Sequence, residues 1–159
     1  MSPTQTVAVF FAKYVIFLLI AIVGVWYLWK VPRPLKKDVV IIGATGLFIT
    51  FIISLLAAKL YFDPRPFVSG HVTPLIAHAP DNGFPSDHTL LSAAIASIVW
   101  VFNRRLGALL LALTLSIGLS RVFAGVHHLI DVLGAIVIAI GSVYLANFIV
   151  KQINAAKHS

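Results

Sequence analysis

Two histidines, two arginines, a lysine, a serine and an aspartate stand at positions from which they can act together. His127 and Asp131 are four residues apart. On a helix that spacing puts both on one face, where the carboxylate can hold one imidazole N–H. The other ring nitrogen is then left as an acceptor, and such an imidazole can be a nucleophile. His88, from a different segment, can serve as general acid toward a leaving oxygen. Arg65 and Arg121 carry planar forks that match phosphate oxygens, and Lys59 adds a point charge. Ser86 follows Pro85 at the head of an apolar run. It is the expected N-cap, its hydroxyl accepting from a free N–H of the first turn. A helix start also offers unpaired N–H groups and a partial positive charge to a bound phosphate. Together these groups describe phosphoryl transfer through a phosphohistidine.

The elements that must position them are strongly apolar. The 159 residues are 60% hydrophobic and 11% charged, with a mean hydropathy of +0.99. A soluble domain carries roughly 25% charged residues. The composition therefore indicates an integral membrane protein, with a single compact bundle over residues 1–159 and no room for a second domain. Twelve Lys and Arg against five Asp and Glu give a net charge of +7. In this context the excess reflects cytoplasmic loop bias and anionic membrane lipids, and no nucleic-acid partner is expected. The absence of cysteine excludes disulfides and thiolate chemistry. The N-terminus lacks a basic region followed by a small-residue cleavage site, so the first apolar run is expected to be a retained helix.

The expected fold is all-α, a polytopic bundle of about five spanning helices. Apolar runs from about Val7 to Trp29 and from Asp38 to about Leu60 are long enough to cross, since roughly 20 residues span the hydrocarbon. Asp38 is the expected N-cap of the second. Three further helices are expected over Asp87–Phe102, Leu106–Phe123 and from after His128 to about Val150. Tyr61 to Pro85 forms a long proline-rich loop, and a structureless loop of that length is usually functional. One set of connections holds Lys30, Arg33, Lys36, Lys37, Arg104, Arg105, Lys151 and Lys157. Placing that set inside puts the C-terminus in the cytoplasm and the long loop on the extracytoplasmic face. Lys59, Arg65, Ser86, Asp87, His88, Arg121, His127 and Asp131 then meet at one membrane level. Ionisable residues there are functional candidates by default.

Other residues carry weaker expectations. His78, in the same loop, and Pro66 are secondary candidates for the site. Asp87 is expected to compensate the charge of a helix N-terminus and to contact substrate. Asp63 is expected to cap a turn or pair with Arg65, and His128 to pack on another helix face. His71 and His158 read as solvated. Gly118, Gly125, Gly134 and Gly141 read as points of close helix contact.

The polar residues fall into three motifs: Lys59…Arg65-Pro66, then Pro85-Ser86-Asp87-His88, then Ser120-Arg121…His127…Asp131. These resemble the signature of the type 2 phosphatidic acid phosphatase family, which includes lipid phosphatases and vanadium haloperoxidases. The third motif fits fully. The first has five residues between Lys59 and Arg65 where the broad family has six, and the second has Asp87 where Gly is usual. On a helix end the shortened spacing turns Lys59 by roughly 100°. Both departures, with Tyr61-Phe62-Asp63-Pro64-Arg65-Pro66-Phe67-Val68 around the first, look like bacitracin-resistance-type undecaprenyl diphosphatases. The resemblance implies a hydrolase that removes one phosphate from a polyprenyl diphosphate outside the bacterial cytoplasmic membrane. It implies His127 as nucleophile, Asp131 as its orienting group and His88 as proton donor to the leaving phosphate. It implies Lys59, Arg65, Ser86 and Arg121 as ligands of the phosphoryl oxygens, with no metal and no cofactor.

Two alternatives stand beside this reading. One is a phosphatase of another lipid phosphate, such as phosphatidylglycerol phosphate or phosphatidate. The other is a metal-binding membrane protein or transporter, with His88, His127, His128, Asp87 and Asp131 around a divalent ion. Three cations in the same place weigh against the second.

Overall fold

The computed structural model describes residues 1–70 and 72–157, so the expectations for His71 and His158 lie outside it. Five helices follow in order: α1 Pro3–Trp29, α2 Arg33–Leu60, α3 Asp87–Phe102, α4 Arg104–Phe123 and α5 Leu129–Ala156. Among the described residues the only strand-like pairing is one antiparallel bridge between Pro64 and Asn82.

The helix ends follow local chemistry. Ser2 Oγ accepts from the Gln5 N–H at 3.2 Å, and Gln5 Oε1 accepts from the Ser2 N–H at 2.8 Å. That reciprocal cap starts α1 with Pro3 in its first turn. The second helix begins at Arg33, so Asp38 lies inside it and is not its N-cap. Pro34 falls in the first turn, where its missing N–H costs nothing. Lys36 Nζ donates to the Leu28 carbonyl at 3.1 Å and sits 5.2 Å from the Tyr27 ring centre, tying the start of α2 to the end of α1. Asn103 closes α3 and caps α4, its Oδ1 accepting from Leu106 N–H at 3.1 Å.

Four of the helices are long and apolar enough to cross a membrane. The fifth, α3, has only 16 residues, about 24 Å at 1.5 Å per residue. It is the hub, packed against all four others. Its inward residues are small: Ser92, Ala93, Ala94 and Ala96 are fully buried, which lets neighbouring backbones come close. Buried hydroxyls satisfy themselves on the preceding turn. Thr50, Ser97, Thr114 and Ser142 each donate to the carbonyl four residues back, at 2.7–2.9 Å. Large apolar side chains instead face outward, Phe17, Phe48, Leu109 and Val137 among them. That inversion of the soluble pattern is what a lipid surround requires.

The basic ends of the helices gather at one end of the bundle. Lys30 lines the same surface hollow as Asn103 and Arg105, and Asp38 the same hollow as Phe102 and Lys151. Between them and facing α3, an apolar groove of about 370 Å³ runs between α1 and α2, bordered by Val23, Trp26, Val39, Gly43 and Ile98. The polar cluster lies at the opposite end, under the loop from Tyr61 to Ser86. This loop is pinned by buried Ile76, which packs with Ala12, Ala124 and Val126, and by the Leu75 N–H to Ala124 carbonyl bond at 2.9 Å.

The glycines divide by role. Gly118 faces Val132 and Thr89, and Gly134 lies against the Phe84 ring, so both are close contacts. Gly125 has φ of +73° and serves the turn between α4 and α5. Gly141 has open space around it and makes no close approach.

Candidate active site

The turn from Ala124 to His128 delivers His127 into the bundle, where it is 1% exposed. His127 Nδ1 lies 3.2 Å from Asp131 Oδ2. Its Nε2 lies 3.1 Å from Arg65 Nη1 and 3.4 Å from Arg121 Nη2. A guanidinium only donates. The tautomer is therefore set from both sides, with the proton on Nδ1 and a lone pair on Nε2 between two cations. Burial, joined by the charges of Arg121 and Arg65, pushes the His127 pKa down against the opposing pull of Asp131. The ring is held neutral.

Each arginine is anchored. Arg65 is 3% exposed, with Nε on Asp81 Oδ1 at 2.7 Å and Nη1 also on the Val126 carbonyl at 2.9 Å. Its Nη2 reaches the Asn82 carbonyl at 3.4 Å. Arg121 comes from the last turn of α4 and is equally buried. Its Nη1 donates to the Ala12 carbonyl of α1 at 3.3 Å, and its Nε is buried without a partner among the described residues. The first helix thus helps to hold a cation at the far side of His127 Nε2.

Ser86 precedes α3 and is fully buried. It makes no side-chain cap bond, contrary to expectation. Its Oγ accepts instead from Thr89 Oγ1 at 3.1 Å, and its N–H donates to the Asp131 carbonyl at 3.2 Å. Thr89 competes successfully because its hydroxyl is buried and needs an acceptor. The first-turn N–H groups of α3 therefore give no bond to the Ser86 side chain. His88, second in α3, is half-buried. Asp87 opens α3 and is exposed. His78 stands edge-on to His127, ring centres 6.1 Å apart, with its Nδ1 buried and unpartnered among the described residues. Burial, then Arg65 and Arg121, lower the His78 pKa. Pro66 is half-buried, its carbonyl taken by Ser69 Oγ at 2.9 Å. Lys59 is exposed in the last turn of α2 and makes no hydrogen bond or ion pair among the described residues.

Two residues organise the site without having been expected there. Asp81 is the partner of Arg65, holding it at 2.7 Å. The Arg65 bond keeps the Asp81 pKa below the usual carboxylate range, against a smaller opposing effect of burial. Asn82 is the hub of the loop. Its Oδ1 accepts from the Asp63 and Phe84 N–H groups at 2.9 and 3.0 Å, and its Nδ2 donates to the Ala58 and Tyr61 carbonyls, both at 3.0 Å. The run Asp81-Asn82-Gly83 is typical turn composition, and that was the available signal. Asp63 pairs with His128 and not with Arg65: Oδ2 lies 3.0 Å from His128 Nδ1. Asp63, His128 and Asp131 offer three donor atoms within 4.8 Å of one another. This falls short of a four-ligand centre, and Asp131 Oδ2 is already committed to His127 Nδ1 and the His128 N–H.

Two guanidinium groups thus flank a neutral imidazole, an arrangement able to hold a phosphate. A profile of the PAP2 superfamily matches residues 38–155, most of the chain. The chain belongs to the PAP2 superfamily. It is a membrane phosphatase of that superfamily, as its three motifs imply. This PAP2 chain is similar to undecaprenyl-diphosphatase BcrC of Bacillus subtilis strain 168, with 36% identity over 140 residues, 87% of this chain and 71% of that one. Among solved structures it resembles LpxE of Aquifex aeolicus, with a TM-score of 0.73 and 20% identity over 92% of this chain and 87% of that one. It also resembles a PAP2-type phosphatidylglycerolphosphate phosphatase of Bacillus subtilis, with a TM-score of 0.62 and 20% identity over 96% of this chain and 80% of that one. At that identity the two structures speak for the PAP2 fold alone.

Proposed function

We propose that this PAP2 phosphatase hydrolyses undecaprenyl diphosphate to undecaprenyl phosphate and phosphate, at the extracytoplasmic face of a bacterial cytoplasmic membrane. The observation that carries the chemistry is the His127 Nε2 lone pair between Arg65 and Arg121. The substrate class rests on the similarity to undecaprenyl-diphosphatase BcrC. The sidedness rests on the basic helix ends lying opposite the polar cluster, with the C-terminus on their side.

In this reading the terminal phosphoryl group enters between the two arginines. Its oxygens take N–H bonds from Arg65, Arg121 and the start of α3, and the O–H bond of Ser86. Lys59, at the rim, adds long-range attraction, and Asp87 helps to orient the headgroup. His127 Nε2 forms a bond to phosphorus as the bond to the bridging oxygen breaks. His88 gives its proton to that oxygen, and the lipid monophosphate leaves. The Nδ1–H of the now cationic ring stays on Asp131, which stabilises the charge. Water then attacks phosphorus, gives its proton to His88, and releases phosphate and neutral His127. Charge stabilisation by fixed donors is the largest contribution in such a site.

Phosphate release from undecaprenyl and farnesyl diphosphates, in EDTA, tests the reading against phosphatidylglycerol phosphate and phosphatidate in the same assay. Turnover of the diphosphates, lost in His127→Ala, is the expected result. Preference for either glycerolipid overturns the substrate, and full activity of His127→Ala overturns the nucleophile.

A further inference from the structure

Asp131 carries an unusual load. It is fully buried, and its Oδ2 takes both the His127 Nδ1–H and the His128 N–H. Its Oδ1 is buried with no partner among the described residues. A buried carboxylate oxygen left bare costs more than an unmade hydrogen bond at the surface. Another carboxyl stands beside it. One oxygen each of Asp63 and Asp131, with His128 Nδ1, lie within 4.8 Å of one another. Two like charges so close cannot both ionise freely.

We propose that Asp63 and Asp131 share one proton, and that Asp63 is thereby a positioning residue for the nucleophile. The donors and acceptors then balance. His128 Nδ1–H donates to Asp63 Oδ2, 3.0 Å away. The other Asp63 oxygen carries the proton and donates it to Asp131 Oδ1. Asp131 keeps its negative charge, with Oδ2 free to hold His127. One directed chain runs from His128 through Asp63 to Asp131, and His127 donates to its end.

The backbone is built to hold this pair. Gly83 N–H donates to the Asp63 carbonyl at 2.8 Å, and Asp63 N–H donates to Asn82 Oδ1 at 2.9 Å. A side chain at Gly83 would come within 2.9 Å of Asp131 Oδ2 and 3.1 Å of the Asp63 carbonyl. Only a glycine lets the loop press so close to the second carboxylate. The charged groups facing Asp63 are Asp131 and His128, both from the start of α5. Arg65, two residues on, turns its guanidinium to Asp81 and the Val126 carbonyl, and Lys59 is exposed with no hydrogen bond or ion pair among the described residues. Burial first, and the Asp131 charge next, raise the Asp63 pKa. The proton is thus retained to higher pH than on an ordinary carboxylate, and it leaves as pH rises through that raised value.

The inference rests on His127 being the nucleophile, and the test separates the two. Wild type, Asp63→Asn and Asp63→Ala are compared for kcat/KM against pH, with thermal unfolding alongside. An asparagine amide can donate to Asp131 Oδ1 and accept from His128 at every pH. Asp63→Asn should stay within about 3-fold of wild type and lose the ionisation assigned to Asp63. Asp63→Ala should lose about 10–100-fold, the usual cost of an orienting partner. Infrared difference spectra on a pH step should show a protonated carboxyl band in wild type and none in Asp63→Asn. The proposal is overturned if Asp63→Asn is as impaired as Asp63→Ala while Asp63→Glu is active, since a fixed negative charge is then what matters. It is equally overturned if chelation silences wild type and a divalent cation restores it, since a metal then fills the place of the proton. Wild type without phosphatase activity would defeat the functional reading instead.

Discussion

Arg65 Nη1 lies 3.1 Å from His127 Nε2, the atom proposed to attack phosphorus. The contact is between a cation and a lone pair, so protonation of His127 is opposed by geometry as well as by burial. Since the His127 pKa is pushed down, the acid limb of kcat/KM should fall below the ordinary imidazole value of about 6.5. Below that limb the ring is cationic and inert, and above it the ring is neutral and active. Replacing Arg121 by Gln removes one of the charges, so the limb should move upward. The rate should drop about 10²-fold or more, as when one transition-state donor is lost. A pH–rate profile of the variant with an unmoved acid limb would show that Arg121 does not tune His127.

Asp81 holds Arg65 from outside. Its side chain is 59% exposed, while that of Arg65 is 3% exposed. An ion pair with one solvated partner adds roughly 1 kcal/mol or less to stability. Asp81→Ala should therefore leave the melting temperature nearly unchanged. The guanidinium, however, loses the bond that fixes its Nε. A rise in KM of about 3–10-fold with a smaller change in kcat is expected, because a loosened Arg65 still carries its charge. Steady-state kinetics and a melting curve on the same preparation check both halves.

Gly118 lets α4 approach α3 and α5 beneath the site. A Cβ there would meet Val132 Cγ1 at 2.5 Å and Thr89 Oγ1 at 3.1 Å. Overpacking of this kind costs about 1–3 kcal/mol. Gly118→Ala should lower the unfolding temperature in detergent and also slow turnover, because Thr89 carries the Ser86 hydroxyl bond. Gly141 has nothing within 4 Å, and Gly141→Ala serves as the control that should change neither.

Much of this architecture is legible from pattern. Apolar runs separated by basic turns specify the helices. The His127–Asp131 pair is as expected, but not through a shared helix face: His127 precedes α5, and the turn before the helix brings its Nδ1 to 3.2 Å from Asp131 Oδ2. What escapes is what depends on loop path. Arg65 and Asp81 are 16 residues apart in a segment without periodicity, so nothing local announces that they meet. Asp63 and His128 are 65 apart, and the nearer Arg65 looks like the natural partner of Asp63 until the loop is seen to turn it away. The start of α2 departs from pattern for the opposite reason. A capping aspartate and a first-turn proline both mark helix starts, and Pro34 and Asp38 are only about one turn apart. Arg33 wins because Pro34 tolerates the first turn and Lys36 reaches back to α1.

Ser86 shows how a familiar signature can stand for something else. A serine before a helix usually contributes a cap bond, and its loss to alanine costs about 1 kcal/mol. Here Ser86 makes no such bond, and its oxygen accepts from Thr89 Oγ1 at 3.1 Å. Ser86→Ala should therefore reduce stability by less than that usual cap penalty, while removing an O–H donor from the phosphoryl group. A fall in kcat/KM of about 10–100-fold is expected from one lost hydrogen bond to a charged group. Thr89→Val keeps the Ser86 hydroxyl but frees it to rotate, so its loss should be smaller, about 2–10-fold. Phosphate release and thermal unfolding of the two variants separate capping from catalysis. If Ser86→Ala instead melts much earlier and keeps its specific activity, the hydroxyl supports the helix and does not touch the substrate.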